Sequence, residues 1–318
     1  MEYRNLGNSG LKVSVVGLGC NNFGMVIDAE QTRAVVHRAL DAGITLFDTA
    51  DIYGNRGGSE QMLGKALGDR RHQVIVATKF GMAMGDGPYL KGASRGYIVA
   101  AAEASLKRLG TDYIDLYQIH FPDPETPQHE TLEVFNDLVR AGKVRYIGCS
   151  NFAAWQLADA MWLSRENHLA SYISAQNQYN LLDRRVEREL IPACQHFEVG
   201  ILPYFPLASG FLTGKYRRGT EPAKDTRFGG MMRAGASRML SDENFATLER
   251  LEEYARGHGH SMVELAIAWL AAQPQVGSVI CGATKPEQVT ANVKGGDWKL
   301  SAEENAEIDK LSKQGRKY

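Results

Sequence analysis

Ile44-Thr45-Leu46-Phe47-Asp48-Thr49-Ala50-Asp51-Ile52-Tyr53-Gly54 changes character midway. Its first half is a short apolar run after a glycine, the pattern of a buried strand. Its second half is Asp, Thr, Ala, Asp, Tyr and Gly, the composition of a polar loop leaving a strand's end. One such unit decides little, because an Asp after a strand usually caps a turn or a helix. The same change recurs along the chain, and the recurrence decides the fold.

Strands are expected at Val13 to Cys20, Ile44 to Phe47, Gln73 to Thr78 and Tyr113 to Ile119, and again at Val144 to Cys149, Tyr172 to Ala175, Gly200 to Tyr204 and Val276 to Cys281. Helical spacing follows them at Asp28 to Ala42, Ser59 to Leu67, Ser94 to Leu109, His129 to Ala141, Ala153 to Ser164 and Arg184 to His196. Four further helices are expected at Asp242 to Arg256, Met262 to Ala272, Pro286 to Val293 and Ala302 to Leu311. Gly43, Gly68, Gly110 and Gly142 stand where helices should stop. Strands this continuous in Val, Ile, Leu and aromatic residues read as buried on both faces of a parallel sheet. Eight β-then-α units predict an α/β fold, a closed (β/α)8 TIM barrel with one extra helix before strand eight. Turn residues between apolar positions from Tyr3 to Val13 suggest an N-terminal β-hairpin covering one end. The alternative, an open doubly wound sheet, lacks its signature: Gly17-Leu18-Gly19-Cys20-Asn21-Asn22 has no third glycine opening a helix.

With 318 residues, 44% hydrophobic and 23% charged, the chain matches an ordinary globular protein. One barrel domain over residues 1–318 is expected. The formal net charge is −1 and no basic block stands out, which gives no support for nucleic acid or an anionic membrane as partner. The opening Met1-Glu-Tyr-Arg-Asn-Leu has no apolar core of a signal peptide, and no run is long enough to span a bilayer. Cys20, Cys149, Cys194 and Cys281 show no paired or metal-type spacing, which points to packing roles and a reducing, cytoplasmic setting. No interface stripe is assigned, so the oligomeric state stays open.

In a (β/α)8 barrel, the chemistry sits where strands end and loops begin. Strand two ends in Asp48 with Tyr53 just beyond, strand three in Lys79, strand four in His120. A lysine there often reaches for solvent and a histidine is often an ordinary polar residue. An acid, a phenol, an ammonium and an imidazole at three consecutive strand ends form a more specific set, suited to carbonyl reduction. A hydride donor needs a partner that protonates the carbonyl oxygen. A tyrosine of pKa about 10 is a poor partner; a nearby lysine is expected to lower that pKa. An aspartate would hold the lysine charged, and a histidine would orient the carbonyl oxygen.

These stretches resemble the aldo-keto reductase superfamily over nearly the whole chain. The matching segments are Phe47-Asp-Thr-Ala-Asp-Ile-Tyr-Gly54, Ala77-Thr-Lys79, Asp115-Leu-Tyr-Gln-Ile-His120, Lys143-Val-Arg-Tyr-Ile-Gly-Cys-Ser-Asn-Phe152 and Ile280-Cys-Gly-Ala-Thr-Lys-Pro-Glu-Gln288. In detail they are most similar to the bacterial and potassium-channel β-subunit-like branches. The resemblance implies a catalytic tetrad of Asp48, Tyr53, Lys79 and His120, and NADP(H) lying over the barrel mouth. It implies that Ser150, Asn151 and Gln176 hold the carboxamide, and that Tyr204 stacks on the nicotinamide. Phe205 to Lys215, with Pro206, Leu207, Ala208, Gly210 and Lys215, would follow the pyrophosphate; backbone amides and Lys215 suit an anion there. Gly282, Thr284, Lys285, Gln288 and Asn292 would surround the adenosine end, at a helix N-terminus favourable to phosphate. Lys285 either meets a 2′-phosphate or stands solvated at the surface.

The stretch Arg217 to Arg238 is rich in Gly and Arg (Arg217, Arg218, Arg227, Arg233, Arg238) and reads as a long loop, either a solvated one or a lid with Arg227 near a phosphate. Phe23, Tyr89, Phe121 and Phe152 are the candidate walls of a small-molecule substrate pocket, beside an adaptable loop from Gly81 to Gly92 that carries Met82 and Met84. The leading expectation is an NADP(H)-dependent reductase of aldehydes or ketones. Two alternatives stand beside it: an NADPH-binding regulatory partner of the channel β-subunit type, and a Schiff-base aldolase using Lys79.

Overall fold

A computed structural model describes residues 1–224, 226–230 and 233–313. Strands β1 (Tyr3–Asn5) and β2 (Lys12–Ser14) pair antiparallel as the expected hairpin. The barrel strands are β3 (Val16–Gly19), β4 (Leu46–Asp48), β5 (Ile75–Phe80), β6 (Ile114–Ile119), β7 (Val144–Ser150), β8 (Tyr172–Gln176), β9 (Gly200–Ile201) and β10 (Val279–Gly282). All are parallel and run in the order β10-β3-β4-β5-β6-β7-β8-β9. The seam between the last two closes through a bridge from Ile201 to Val276 and through Ile280 N donating to Pro203 O at 3.0 Å. The result is a (β/α)8 barrel.

Around it lie α1 (Ala29–Asp41), α2 (Tyr53–Leu67), α3 (Arg95–Leu109), α4 (Gln128–Arg140), α5 (Ala154–Glu166) and α6 (Leu190–Phe197). After β9 come α7 (Ala236–Met239), α8 (Asp242–Gly257) and α9 (Met262–Ala271); α10 (Pro286–Asp297) and α11 (Ala302–Lys313) follow β10. Helix α8 is the extra one, packed between α9 and α11. The local signals are those read from the sequence. Asp28 and Ser261 close capping boxes at the starts of α1 and α9, and Gly110 ends α3 in the left-handed region that glycine adopts freely.

Inside the barrel, Leu46, Ala77, Leu116, Leu202 and Ile280 pack with Leu6, Leu11 and Val13 of the hairpin. The hairpin therefore plugs the N-terminal end. Side chains along a strand alternate faces, so the next inward positions, two residues on from Leu46, Ala77 and Leu116, are Asp48, Lys79 and Gln118. An apolar layer thus supports a polar layer at the C-terminal mouth. A second, larger cluster fills the space between strands and helices.

Several expected boundaries move for physical reasons. Val13 belongs to the hairpin, not to the first barrel strand. Strand β9 is two residues long, because Pro203 has no N–H to continue the ladder. The expected helix from Arg184 to His196 is broken into a 3-10 turn at Arg185–Glu187 and α6 from Leu190. Pro192 is tolerated only in a first turn. Arg184 is held instead by ion pairs to Glu187 at 2.6 Å and Asp309 at 2.8 Å, with its guanidinium over Trp269.

The long loop before Leu240 is more ordered than its composition suggests. It opens with a 3-10 turn at Ala208–Thr213. Phe211, Tyr216, Phe228 and Phe245 then pack ring against ring. Arg217 pairs with Glu252, and Arg218 with Asp242 and Glu249, tying the segment to α8. Residues 225, 231 and 232 and the side chain of Arg233 lie outside the described residues. Among the described residues, no helix is long and apolar enough to cross a membrane, and no cluster of His, Cys, Asp and Glu could hold a metal ion. All four cysteines are buried and free.

Candidate active site

Asp48 and Lys79 meet at the top of the barrel interior. The Lys79 ammonium lies 2.6 Å from Asp48 Oδ1 and donates to the Thr49 carbonyl at 2.8 Å, and both side chains are buried. The other carboxylate oxygen accepts from Gln176 Nε2 at 2.8 Å and from Gln118 Nε2 at 3.3 Å. Burial works against the ammonium, but Asp48 and Tyr53 outweigh it and hold the Lys79 pKa above the ordinary lysine value. A lysine kept charged is a poor nucleophile.

Tyr53 stands over this pair, with Lys79 Nζ 5.2 Å from its ring centroid. His120 meets Tyr53 edge to face at 5.7 Å. The backbone after Tyr53 is left-handed: Gly54, Asn55, Arg56 and Gly57 have φ of 67, 58, 68 and 111°. A Cβ on Gly54 would lie 2.6 Å from the Phe23 carbonyl, so glycine is required where the loop returns past the first βα loop. Asn tolerates this region, but left-handed Arg56 costs about 1–2 kcal/mol, and strain of this kind concentrates at functional sites. The regular part of α2 follows, at the expected Ser59 to Leu67.

The expected lowering of the Tyr53 pKa does not win. Burial raises it, Lys79 pulls it down by less, and Asp48 pushes it up again, so the phenol sits above the ordinary tyrosine value. His120 goes the other way: burial, with Lys79 nearby, pulls it down to about 3. The imidazole is therefore neutral at physiological pH, and its buried Nδ1 has no partner.

The residues expected to hold the carboxamide form one network. Asn151, at a left-handed φ of 61°, donates to the His120 carbonyl at 3.0 Å and to Ser150 Oγ at 3.1 Å. Its Oδ1 accepts from the Tyr204 hydroxyl at 2.7 Å, and Ser150 donates to the Gln176 carbonyl at 2.9 Å. The Gln176 amide, however, is committed to Asp48. On the next residue, Asn177 Oδ1 is buried without a partner.

The turn after Tyr204 is left-handed at Phe205, Ala208, Ser209 and Gly210. The amides of Ala208 and Gly210 are used within it, donating to Phe205 O and Leu207 O. Lys215 adds a cation to this turn, its Nζ lying 3.0 Å from where a Gly210 Cβ would stand. Pro206 and Leu207 belong to the same turn, which closes as Leu212 N donates to Leu207 O. Arg227 is brought to this rim, over the Phe205 ring at 5.8 Å and donating to Asn22 Oδ1 at 3.3 Å. Asn22 in turn reaches the Ala283 carbonyl at 3.4 Å, which joins the first βα loop, the long loop and the strand-eight loop. Gln288 accepts from Thr284 N at 2.7 Å and from Thr284 Oγ1, and Asn292 donates to Gly282 O. Lys285 is exposed at the N-cap of α10.

The four candidate pocket walls separate. Phe23 and Phe152 are buried in the core. Phe121, 48% exposed, stacks on His120 at 5.2 Å, whereas Tyr89 is 81% exposed on its loop. Beside Phe121, a cleft of about 440 Å³ is lined by Gly81, Lys91, Gly92 and Asp123. Sequence reading misses Gln118 and Asn22. Gln118 lies two residues before His120 on one strand face, a signal that alternation carries; Asn22 has no local signal.

The profile described as the aldo/keto reductase family matches residues 15–313. The chain is 40% identical over 300 residues to a probable voltage-gated potassium channel subunit beta of Oryza sativa subsp. japonica, covering 92% of this chain and 90% of the relative. It is 38% identical to an L-glyceraldehyde 3-phosphate reductase of Escherichia coli O157:H7 (97% and 92%) and 37% identical to a versiconal hemiacetal acetate reductase of Aspergillus parasiticus (96% and 95%). The chain belongs to the aldo/keto reductase family, oxidoreductases that act on small carbonyl compounds with NAD(P)H.

Proposed function

We propose that the chain is an NADP(H)-dependent reductase of aldehydes or ketones, with Tyr53 as general acid/base assisted by Lys79, Asp48 and His120. The observation that carries this reading is the buried Asp48–Lys79 pair at 2.6 Å beneath the Tyr53 ring, with a neutral His120 beside it. When bound, a reduced nicotinamide would supply the hydride that adds to the carbonyl carbon. Tyr53 gives its hydroxyl proton to the carbonyl oxygen. Lys79, held charged by Asp48, stabilises the phenolate left behind. His120, too weak a base to be cationic, orients the carbonyl oxygen by one N–H.

The residues present suit the cofactor. Ser150, Asn151 and Gln176 are joined in one network at the mouth, and the unpartnered Asn177 Oδ1 is an acceptor on the residue after Gln176. Tyr204 offers a ring, Lys215 and Arg227 offer cations to the pyrophosphate, and Lys285 with Gly282, Thr284, Gln288 and Asn292 suits a phosphorylated adenosine. Arg227 would bridge the long loop over the cofactor as a lid. Arg227→Ala is expected to weaken NADPH binding by roughly tenfold or more, the loss of one charge-assisted hydrogen bond. Unchanged affinity in a fluorescence titration would remove Arg227 from the site. The reductases among the relatives differ in the compounds they are named for, so the proposal stops at the carbonyl class. Buried free cysteines support a cytoplasmic setting.

The pH dependence tests the acid assignment. Because burial holds the Tyr53 phenol above its ordinary value, the proton donor is present throughout neutral pH. The kcat for reduction is expected to stay level from about pH 6 to about pH 9. Alcohol oxidation needs the phenolate and is expected to rise with pH, up to about tenfold per unit. An oxidation rate that falls as pH rises would contradict it.

A second reading has its own support in the relatives named as channel subunits: a regulatory partner that binds NADP(H) without turnover. Absence of turnover on every carbonyl tried would favour it. The aldolase reading loses its ground, since Lys79 is charged and enclosed.

A further inference from the structure

Asp51 is a buried carboxyl that the proposed reaction does not use. It lies two residues before Tyr53, and its backbone N–H donates to the Lys79 carbonyl at 3.0 Å. Its Oδ1 has no partner. The groups facing it are Glu60 from α2, Tyr97 and Arg108 from α3, and Tyr117 from β6. Arg108 is engaged elsewhere, donating to Glu60 Oε2 at 2.6 Å, while Thr78 donates to Glu60 Oε1. One arginine thus serves two carboxyls, and Asp51 is the one left without a cation in contact.

Tyr97 links Asp51 to a different part of the site. Its hydroxyl lies 3.5 Å from Asp51 Oδ2 and 3.3 Å from the Met82 carbonyl. Both distances exceed a fully formed O–H···O bond, and one hydroxyl hydrogen cannot serve both acceptors. Met82 begins the loop whose base closes by Gly92 N donating to Gly81 O at 2.9 Å and by Ala93 N donating to Asp123 Oδ2 at 2.7 Å. Gly81, Lys91 and Gly92 of that segment wall the cleft beside Phe121.

We propose that Asp51 and Tyr97 form a proton-gated tie between the Tyr53 loop and the 81–92 wall of the cleft beside Phe121. With Asp51 protonated, its hydroxyl donates to the Tyr97 oxygen and the Tyr97 hydrogen is free to hold the Met82 carbonyl. With Asp51 ionised, Tyr97 donates to the carboxylate and Met82 is released. Burial, reinforced by Glu60, pushes the Asp51 carboxyl up to about 7, so the exchange falls near neutral pH. Asp51 and Tyr97 are positioning residues: the tie shapes the cleft and leaves the chemical step alone. The inference rests on the reductase reading only for its kinetic consequence.

The test reads the loop directly. Tryptic cleavage after the exposed Lys91 is timed for the full chain and for Asp51→Asn and Tyr97→Phe, and rates are compared at each pH so that the protease's own pH dependence cancels. The carboxamide introduced by Asp51→Asn can donate permanently to the Tyr97 oxygen, so that variant stays tied. Tyr97→Phe has no hydroxyl and cannot tie at all. The wild type should be cleaved like Asp51→Asn at pH 6 and roughly fivefold faster than it at pH 8.5, the worth of about one net hydrogen bond. Tyr97→Phe should exceed the wild type at pH 6 and match it at pH 8.5, a comparison that stands alone if Asp51→Asn does not fold. In turnover, KM of the wild type should rise over the same range with kcat level. Ratios independent of pH overturn the tie. A pH-dependent ratio in a protein that reduces no carbonyl keeps the tie and overturns the reductase reading.

Discussion

Tyr53→Phe lowers kcat for carbonyl reduction by about a hundredfold to ten-thousandfold, the usual contribution of a positioned general acid, and leaves NADPH affinity unchanged. The Tyr53 phenol, kept protonated by burial, is able to give a proton at neutral pH. His120 is neutral and is pulled down to about 3, so no imidazolium can replace it. Lys79 is enclosed, with its ammonium committed to Asp48 and the Thr49 carbonyl. The substitution removes one hydroxyl and leaves the edge contact of the ring with His120 in place. Steady-state kinetics beside a fluorescence titration separates the two quantities. Retained kcat removes Tyr53 from the reaction, and lost NADPH affinity assigns it to binding instead.

Lys79→Met abolishes turnover and also destabilises the protein. It leaves the Asp48 carboxylate buried at the barrel mouth with two amide donors and no cation. Removing one partner of a buried ion pair costs about 3–5 kcal/mol, because the other charge stays uncompensated. A lowered melting temperature is therefore expected along with the loss of activity, and the two effects must be separated. The double variant Asp48→Asn/Lys79→Met removes the stranded charge. It should recover much of the stability and none of the turnover, a non-additive result of the kind expected for groups in contact. Recovery of both would reduce Lys79 to a structural residue. A stable single variant would contradict the burial of the pair.

The barrel is legible in the sequence because its strands are continuous apolar runs separated by glycine-stopped helices. The polar layer is legible in part: Asp48 and Lys79 sit at strand ends, where loop-forming residues begin. Gln118 escapes notice as a glutamine inside an apolar strand, although alternation puts it on the inward face of β6 with Leu116 and beside Asp48. Phe23 and Phe152 qualify as pocket walls by being aromatic near strand ends, yet burial puts both in the core. No local pattern separates an aromatic that faces a cleft from one that faces a helix. The break before α6 follows from Pro192 and from the contacts of Arg184 with Trp269 and Asp309, which are distant in sequence. The link from Arg227 through Asn22 to Ala283 spans three loops and has no signature within any of them. The direction of the Tyr53 pKa eludes the sequence because the pull of Lys79 can be read from residue types, whereas the opposing burial depends on packing.

If the Asp48–Tyr53–Lys79–His120 cluster delivers a proton to a carbonyl that takes a hydride from NADPH, one experiment shows it most directly. The protein is mixed with one equivalent of NADPH and a panel of aldehydes and ketones in a single turnover, with NADH run in parallel. Bound NADPH should be oxidised with stoichiometric formation of the alcohol, and Tyr53→Phe should bind NADPH equally well but oxidise it far more slowly. NADPH bound tightly and left unoxidised by every carbonyl would contradict the reductase reading and make the protein a cofactor-binding partner.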